Sequence, residues 1–470
     1  MGKFIIRLDR KYIIGGNNKV QNGIQNISKF ISDIYELTPM QEGMLYHNLL
    51  DNKASKYIIQ NVFNINGIID EKYIQDSLRL LTQRHDVLRT AIMHEKSEKP
   101  LQVILKNREI EYQRIDLSSL SIDEKSEQIR KLTREEVERG FDLQQDSLVR
   151  IILIRYDNIS SKVIWTMHHI IVDGWCLPIL FGDFIRYYEM LRSGKTEEAI
   201  EEAVEKEKKE IGKYSEYITW LEKQNKGLAL DYWREELNGY EGFADIEPIE
   251  EVADTDETVR VMEFQLNKKA TERLQKYAIK NKITMNIIAE TTWGIVLQWY
   301  NGTDDVVFGK VVSGRNADVL GIDKIVGLFI NTVPCRVNSR RGMSVNELLK
   351  EMQCKSNEGI NYSYTSLTDI QEETEQRHDL IKTLFAYENY YISEESQKNL
   401  TSIEMESARE ETNYGMNITT FISGSHLCMR VTYNPKKYSI RDIDILYKRI
   451  VRVLEQIAEQ PNALIEELEI

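Results

Sequence analysis

Two adjacent histidines, His168 and His169, are followed within a few residues by Asp173 and Gly174. Histidine is the side chain whose ordinary pKa allows proton exchange near neutral pH, and the chain contains only 7 of them. A carboxylate four residues beyond His169 can either orient an imidazole or brace the loop by pairing with an arginine. These residue types at this spacing indicate proton transfer or hydrogen bonding to a reacting group.

The placement of this motif favours an active site over two other interpretations. A buried histidine pair can be purely structural, with its ring nitrogens satisfied by backbone carbonyls. Two imidazoles and one carboxylate are too few ligands for a metal centre, so no metal is predicted. However, the apolar run 163–167 predicts a buried strand that ends at the histidines, and a helical pattern resumes after Pro178. Loops on rigid scaffolds commonly present catalytic groups in this way.

Local patterns predict further elements on both sides of the motif. Helices are expected at 27–35, from Pro39 onward, at 70–84 and at 284–299, and extended segments at 87–92 and 306–312. Asn301-Gly302 should end the helix at 284–299. The segment 194–212 is rich in Glu and Lys, so we expect a solvated connection between two lobes there.

Composition sets the class of protein and excludes several others. A chain of 470 residues with 41% hydrophobic and 29% charged residues is long enough for two folded lobes. The formal net charge of −14 argues against general binding to nucleic acids or anionic membranes. The 4 cysteines show no Cys-x-x-Cys spacing, and no signal peptide or membrane-spanning run is evident, so we expect a cytoplasmic protein.

The stretch His168-His169-x-x-x-Asp173-Gly174-Trp175 resembles the core signature of condensation domains from nonribosomal peptide synthetases. These domains belong to the superfamily of chloramphenicol acetyltransferase-like acyltransferases. Other segments resemble further family blocks in the same order, namely 37–47, 84–90, 214–220, 312–315 and 326–332. Residues 361–364 depart from the more acidic motif that is usual there, so no function is assigned to them.

The resemblance implies an α/β fold of two chloramphenicol acetyltransferase-like lobes in a V-shaped pseudo-dimer with a central tunnel. On this basis residues 28–205 form the N-terminal lobe with the histidine motif, and residues 206–470 form the C-terminal lobe. Residues 1–27 are an N-terminal extension, either a docking segment for an upstream subunit or a linker.

The resemblance also implies amide formation between two thioester substrates. An upstream and a downstream peptidyl carrier domain would bring the donor and the acceptor on 4'-phosphopantetheine arms, so no cofactor of the chain's own is expected. Adenylation and epimerisation domains are expected neighbours. His169 would deprotonate or hydrogen-bond the attacking amine, whereas His168 would pack inward and set the loop.

Further roles are assigned to residues around the two histidines. Asp173 is expected to be a brace paired with Arg315, and Trp175 a structural residue at the site. Gly174 would keep the tunnel open, and its N–H could assist the oxyanion. The expected tunnel or substrate residues are Asn331 and Thr332.

The subtype and the reaction have named alternatives. Met40-Gln41-Glu42-Gly43 together with Trp175-Cys176 resembles the subgroup that joins a D-configured donor to an L-acceptor. One alternative is an epimerisation domain of the same superfamily, although its usual Asp-Gly-x-Ser-Trp run is absent here. The others are a free-standing acyltransferase that uses coenzyme A and a non-catalytic module that recruits carrier domains.

Overall fold

The computed structural model describes residues 29–50, 57–67, 69–95, 99–249, 252, 259–388, 403–409 and 414–470. The predicted extension at 1–27 lies outside these residues. The described chain packs as two units. The first contains the residues up to Lys223 together with Ala317–Phe329 and 403–409, and the second contains the remainder. This division differs from the boundary expected at 205/206, which falls inside a helix, Glu197–Lys209.

The first half of the chain contains both strands and helices. In order they are β1 Ile31–Glu36, α1 Pro39–Leu50, β2 Ile58–Asn66, α2 Glu71–Arg84, β3 Thr90–Met93, β4 Leu101–Leu105, β5 Glu111–Asp116, α3 Ile122–Arg139, β6 Val149–Arg155, β7 Ser160–His168, α4 Cys176–Arg192, α5 Glu197–Lys209 and α6 Tyr214–Glu222.

The second half of the chain continues in the same style. Its elements are α7 Lys226–Leu237, β8 Arg260–Gln265, α8 Lys268–Asn281, α9 Met285–Asn301, β9 Asp305–Val312, β10 Asn331–Asn338, α10 Val345–Gly359, α11 Leu367–Glu372, β11 Leu384–Glu388, β12 Ile403–Arg409, β13 Met416–Ser423, β14 His426–Tyr433 and α12 Ile440–Glu459. The predicted α/β class is confirmed.

The main sheet of the first unit has the strand order β12-β2-β7-β6-β5. Its central strand, β7, is the predicted strand that ends at the histidines, and that prediction is confirmed. The residues Val163–His168 are buried because both neighbouring strands and the helices cover them. His168 pairs in register with Ile58 of β2, so the motif begins where the sheet ends. A smaller sheet, β1-β4-β3, lies in the same unit.

Two helix starts follow directly from capping residues. Helix α1 begins at Pro39, as predicted, where a fixed φ and a missing N–H are tolerated. Helix α2 begins after Asp70, whose side chain accepts a hydrogen bond from the Lys72 N–H. In the second unit, α9 ends at Asn301 and is followed by Gly302, whose φ of 59° confirms the predicted stop.

Three sequence predictions in the first unit are wrong. The segment 27–35 was expected to be helical, but Ile31–Glu36 is a strand because it pairs with β4, about 70 residues away. Residues 87–92 are only partly extended, since Asp86–Arg89 form a 3₁₀ turn before β3.

The charged segment 194–212 is helix α5 rather than an irregular connection. Its buried residues Ile200 and Val204, four apart, form one apolar face, and Thr196 caps its start. A carboxylate oxygen of Glu201 on this helix lies 2.9 Å from a guanidinium nitrogen of Arg79 in α2. Some of the charged side chains of α5 are therefore paired within the first unit.

The second unit is built on a six-stranded sheet of order β10-β9-β11-β13-β14-β8. Helix α9 is buried along most of its length in the core of this unit. Among the residues that the structure describes, no helix combines the length and apolar character needed to span a bilayer.

Candidate active site

The histidine motif occupies a single 3₁₀ turn, His169–Ile171, directly after β7. The His169 N–H donates to the carbonyl of Tyr57 at 2.7 Å, and the Val172 N–H donates to the His169 carbonyl at 3.2 Å. The Ile170 N–H donates to Nδ1 of His168 at 3.0 Å. Tyr57 itself has a φ of 59°, an uncommon conformation for a tyrosine. The backbone of the turn is therefore fixed on both sides of His169.

His168 points into the first unit and is fully buried. Burial, together with smaller electrostatic contributions from His169 and Arg150, lowers its pKa to about 3. Because Nδ1 accepts the Ile170 N–H, the neutral ring carries its proton on Nε2. Its Nε2 has no hydrogen-bond partner among the described residues, and the ring meets Phe141 edge-on at 6.0 Å. His168 is thus a neutral, structural imidazole at physiological pH.

Arg150 supports His168 through the ring of Phe141, and its role was not predicted from the sequence. Its guanidinium lies 3.8 Å from the centre of the Phe141 ring, which in turn packs against His168. Nε is 2.6 Å from a carboxylate oxygen of Glu136, and the two terminal nitrogens donate to backbone carbonyls. An arginine inside the apolar strand β6 was the available signal, because a buried charge requires partners.

Asp173 is buried and accepts two hydrogen bonds within the first unit. One carboxylate oxygen accepts the Phe329 N–H at 3.0 Å, and the other accepts the Cys176 thiol at 3.2 Å. The sulfur of Cys176 also lies 3.3 Å from the Gly327 nitrogen and 3.1 Å from the Gly327 oxygen. Asp173 and Cys176 together tie the start of α4 to the segment 327–329.

Tyrosines of α6 hold the same segment from its other side. The Tyr214 hydroxyl donates to the Leu328 carbonyl at 2.5 Å, and its ring meets Phe329 edge-on at 5.0 Å. Gly327 is required here, since a Cβ at that position would lie 2.3 Å from a ring carbon of Tyr214. Two segments that resemble family blocks, 214–220 and 326–332, therefore meet next to Asp173.

The sequence profile described as Condensation domain matches residues 31–470. This chain belongs to the Condensation domain family. The family resemblance inferred from the motifs is confirmed.

Relatives of this condensation domain are parts of much longer proteins. Gramicidin S synthase 2 from Brevibacillus brevis is 36% identical over 446 residues, which cover 93% of this chain and 10% of the relative. Tyrocidine synthase 2 from Brevibacillus parabrevis is 36% identical over 438 residues, covering 91% of this chain and 12% of the relative. The chain thus spans about a tenth of the length of these relatives.

Solved structures share the fold at low identity. The condensation domain from Monacolin K polyketide synthase gives a TM-score of 0.75 at 15% identity, covering 93% of this chain and 99% of that one. The first condensation domain of the calcium-dependent antibiotic synthetase, in complex with a substrate analogue, gives 0.71 at 19%, covering 93% and 100%. An epimerization domain from tyrocidine synthetase B gives 0.69 at 19%, covering 92% and 97%. Condensation and epimerization domains therefore share this fold, and the fold alone does not separate them.

The remaining predicted site residues lie at the ends of elements. Gly174 and Trp175 are half-buried in the turn that opens α4. Asn331 and Thr332 begin β10 and are buried, and Nδ2 of Asn331 donates to two backbone carbonyls of residues 363 and 365. Arg315 is half-buried and follows β9 by three residues. The pairing of Arg315 with Asp173 stays a prediction.

Metal ligands were not predicted for this condensation domain. Within the described ranges, no group of three or more His, Cys, Asp or Glu side chains is arranged to hold a metal ion.

Proposed function

We propose that this condensation domain forms a peptide bond between two carrier-bound substrates. The α-amine of the acceptor aminoacyl thioester attacks the carbonyl carbon of the donor aminoacyl or peptidyl thioester. A C–N bond forms, the C–S bond breaks, and one proton leaves the amine while the donor arm is released as a thiol. Both 4'-phosphopantetheine arms belong to an upstream and a downstream peptidyl carrier domain. Neighbouring adenylation and epimerisation domains and a cytoplasmic location belong to the same proposal.

The difference between the two adjacent histidines is the observation that carries this proposal. Because the pKa of His168 is about 3 and its Nδ1 is bonded, His168 is a poor proton acceptor near neutral pH. The acid–base role therefore falls to His169, which accepts the amine proton or a hydrogen bond from the amine. Holding two reactants in attack geometry is worth an effective molarity of ~10⁵ M or more, against ~10²–10⁴-fold for a general base. Positioning is thus the larger contribution of the domain.

Other side chains of the motif are assigned supporting roles. Asp173 braces the start of α4 through Phe329 and Cys176, which supports a structural rather than a proton-transfer role. We assign the Gly174 N–H to the developing oxyanion, because backbone donors stabilise such charge. Contact of substrate with Asn331 or Thr332 and the Arg315 ion pair are parts of the same proposal.

The experiment uses the full chain with two separate carrier proteins loaded with aminoacyl-phosphopantetheine. Mass spectrometry of the acceptor carrier measures the dipeptidyl product. We expect His169→Ala to lose most of the product while keeping the wild-type melting temperature. His378→Ala is the matched control, because its side chain is 86% exposed and lies in the second unit. Near-wild-type product from His169→Ala would contradict the assignment.

The same assay tests the proposed subtype and distinguishes condensation from the alternative reactions. Residues 40–43 with Trp175-Cys176 support a D-configured donor, so a donor that ends in a D-residue should outcompete its L-epimer. Equal rates for the two epimers contradict this subtype. Product from coenzyme A donors would favour a free-standing acyltransferase. Exchange of the α-hydrogen with D₂O in a single loaded carrier, without condensation, would favour epimerisation.

A further inference from the structure

Two glutamines from distant parts of the chain form a reciprocal amide pair beside the histidine turn. Nε2 of Gln41 donates to Oε1 of Gln102 at 2.9 Å, and Nε2 of Gln102 donates to Oε1 of Gln41 at 2.8 Å. Gln41 lies in the first turn of α1 and Gln102 lies in β4, and both are fully buried. Burial of two primary amides is costly unless their donors are bonded.

Every N–H of the two amides has an acceptor. The second N–H of Gln41 donates to the Ile170 carbonyl at 2.8 Å, and the second N–H of Gln102 donates to the Glu36 carbonyl at 3.1 Å. Oε1 of Gln41 also accepts the Thr38 N–H at 2.9 Å. The backbone partners fix the orientation of both side-chain amides. The carbonyls of Ile170 and Glu36 must face an amide nitrogen, and the Thr38 N–H must face an amide oxygen. The pair therefore has one arrangement.

The glutamine pair restrains Ile170, the residue that follows His169. The Ile170 N–H is bonded to His168, and the Ile170 carbonyl is bonded to Gln41. Gln41 is in turn held by Gln102 and by the reciprocal cap with Thr38. A shift of either glutamine moves the carbonyl of Ile170 and, with it, the backbone that carries His169.

We propose that Gln41 and Gln102 are positioning residues that set the location of the His169 imidazole for condensation. This inference rests on the proposed function of His169. A role in packing alone predicts equal sensitivity of folding and of catalysis to substitution, whereas positioning predicts that catalysis is lost first. Misplacement of a reacting group by about 1 Å can reduce a rate ~10²-fold.

Gln102→Glu tests the pair with almost no change in shape. The protonated acid keeps an acceptor for Gln41 and one O–H donor, but the carboxylate has no donor and faces the oxygens of Gln41 and Glu36. Burial raises the pKa of such a carboxyl, and ionisation increases with pH. Glu36 at the end of β1 and Lys99, two residues before β4, pair with each other at 3.2 Å. The ratio of variant to wild-type condensation rate should therefore fall as pH rises.

The measurement is single-turnover product formation from pH 6 to 9, with a melting temperature at each pH. We expect the rate ratio to fall at least about 10-fold across this range, within the ~10²-fold limit for misplacement. Gln102→Met, which cannot ionise, should be slow at every pH with a constant ratio. Gln298→Glu is the matched control, because Gln298 is also buried and donates to two backbone carbonyls, in the second unit. A constant ratio for Gln102→Glu, or the same fall for Gln102→Glu and Gln298→Glu, overturns the inference.

A second readout does not depend on activity. In protein labelled at histidine Cε1, the His169 resonance is assigned by loss of its signal in His169→Ala. At a given pH, Gln102→Glu should move that resonance from its wild-type position and leave those of His378 and His426 at theirs, and the His169 difference should grow as pH rises. If the wild-type chain makes no product and the shift is still seen, the proposed function fails and the positioning role stands. If the wild-type chain is active and the His169 resonance is unmoved, the positioning role fails.

Discussion

Gly327→Ala is the sharpest test of the brace beside the histidine motif. The added Cβ would lie 2.3 and 2.4 Å from two ring carbons of Tyr214, where ordinary carbon contacts are about 3.5–4.0 Å. The ring is held in place, because its hydroxyl donates to the Leu328 carbonyl and the ring meets Phe329 edge-on. The backbone cannot move either without breaking the contacts of Gly327 with the Cys176 sulfur. Overpacking of this kind costs about 1–3 kcal/mol, and each lost hydrogen bond adds about 1 kcal/mol.

We therefore expect the variant to lose about 3 kcal/mol of unfolding free energy, near the upper end of the overpacking range. For a unit of this size that loss lowers the first unit's melting temperature by about 6–12 °C. Calorimetry measures the transition, and the condensation assay should show reduced product below it, because the brace on Asp173 is strained. Gly182→Ala is the control, since it lies inside α4 with nothing within 4 Å of its Cβ and should be neutral or stabilising. A Gly327→Ala variant as stable as wild type would refute the reasoning.

Two further predictions concern the inward histidine and its support. Because the pKa of His168 is held at about 3, the unfolded chain binds a proton that the folded chain does not, so stability falls as pH drops below about 6.5. His168→Asn should remove about 1.4 kcal/mol per pH unit of this slope between roughly pH 4 and 5.5, as measured by urea unfolding, and an unchanged slope contradicts the buried neutral ring. Arg150→Met should cost about 3 kcal/mol, because Glu136 loses its buried partner, and it should raise the pKa of His168 in an NMR titration. A His168 pKa that is unmoved in Arg150→Met contradicts the second prediction.

Features with local physical causes were predictable from the sequence. The start of α1 follows from a proline that fits the first helical position, and the stop of α9 follows from a glycine that adopts positive φ. The end of β7 at His168 follows from an apolar run that meets a polar motif. Each of these depends on interactions within a few residues, so the sequence contains the whole cause.

Features that depend on distant partners were not predictable in the same way. Strand β1 exists because Leu101–Leu105 pairs with it, and no local pattern contains that information. The burial of Gln102 depends on Gln41, 61 residues away. The charged helix α5 has only two large apolar residues, Ile200 and Val204, and its ion pair with Arg79 forms only in the folded unit. The assignments of Asn331, Thr332 and Arg315 to substrate or site roles stay predictions for the same reason.

Several of the segments that resemble family blocks contact the backbone around the histidine turn. Thr38–Gln41 holds the Ile170 carbonyl through Gln41, and the segment 327–329 holds Asp173, while Tyr214 fixes that segment in place. Blocks far apart in sequence therefore restrain one short stretch of backbone, from His168 to Cys176. The backbone that carries His169 is therefore restrained from two sides, by the N–H and the carbonyl of Ile170.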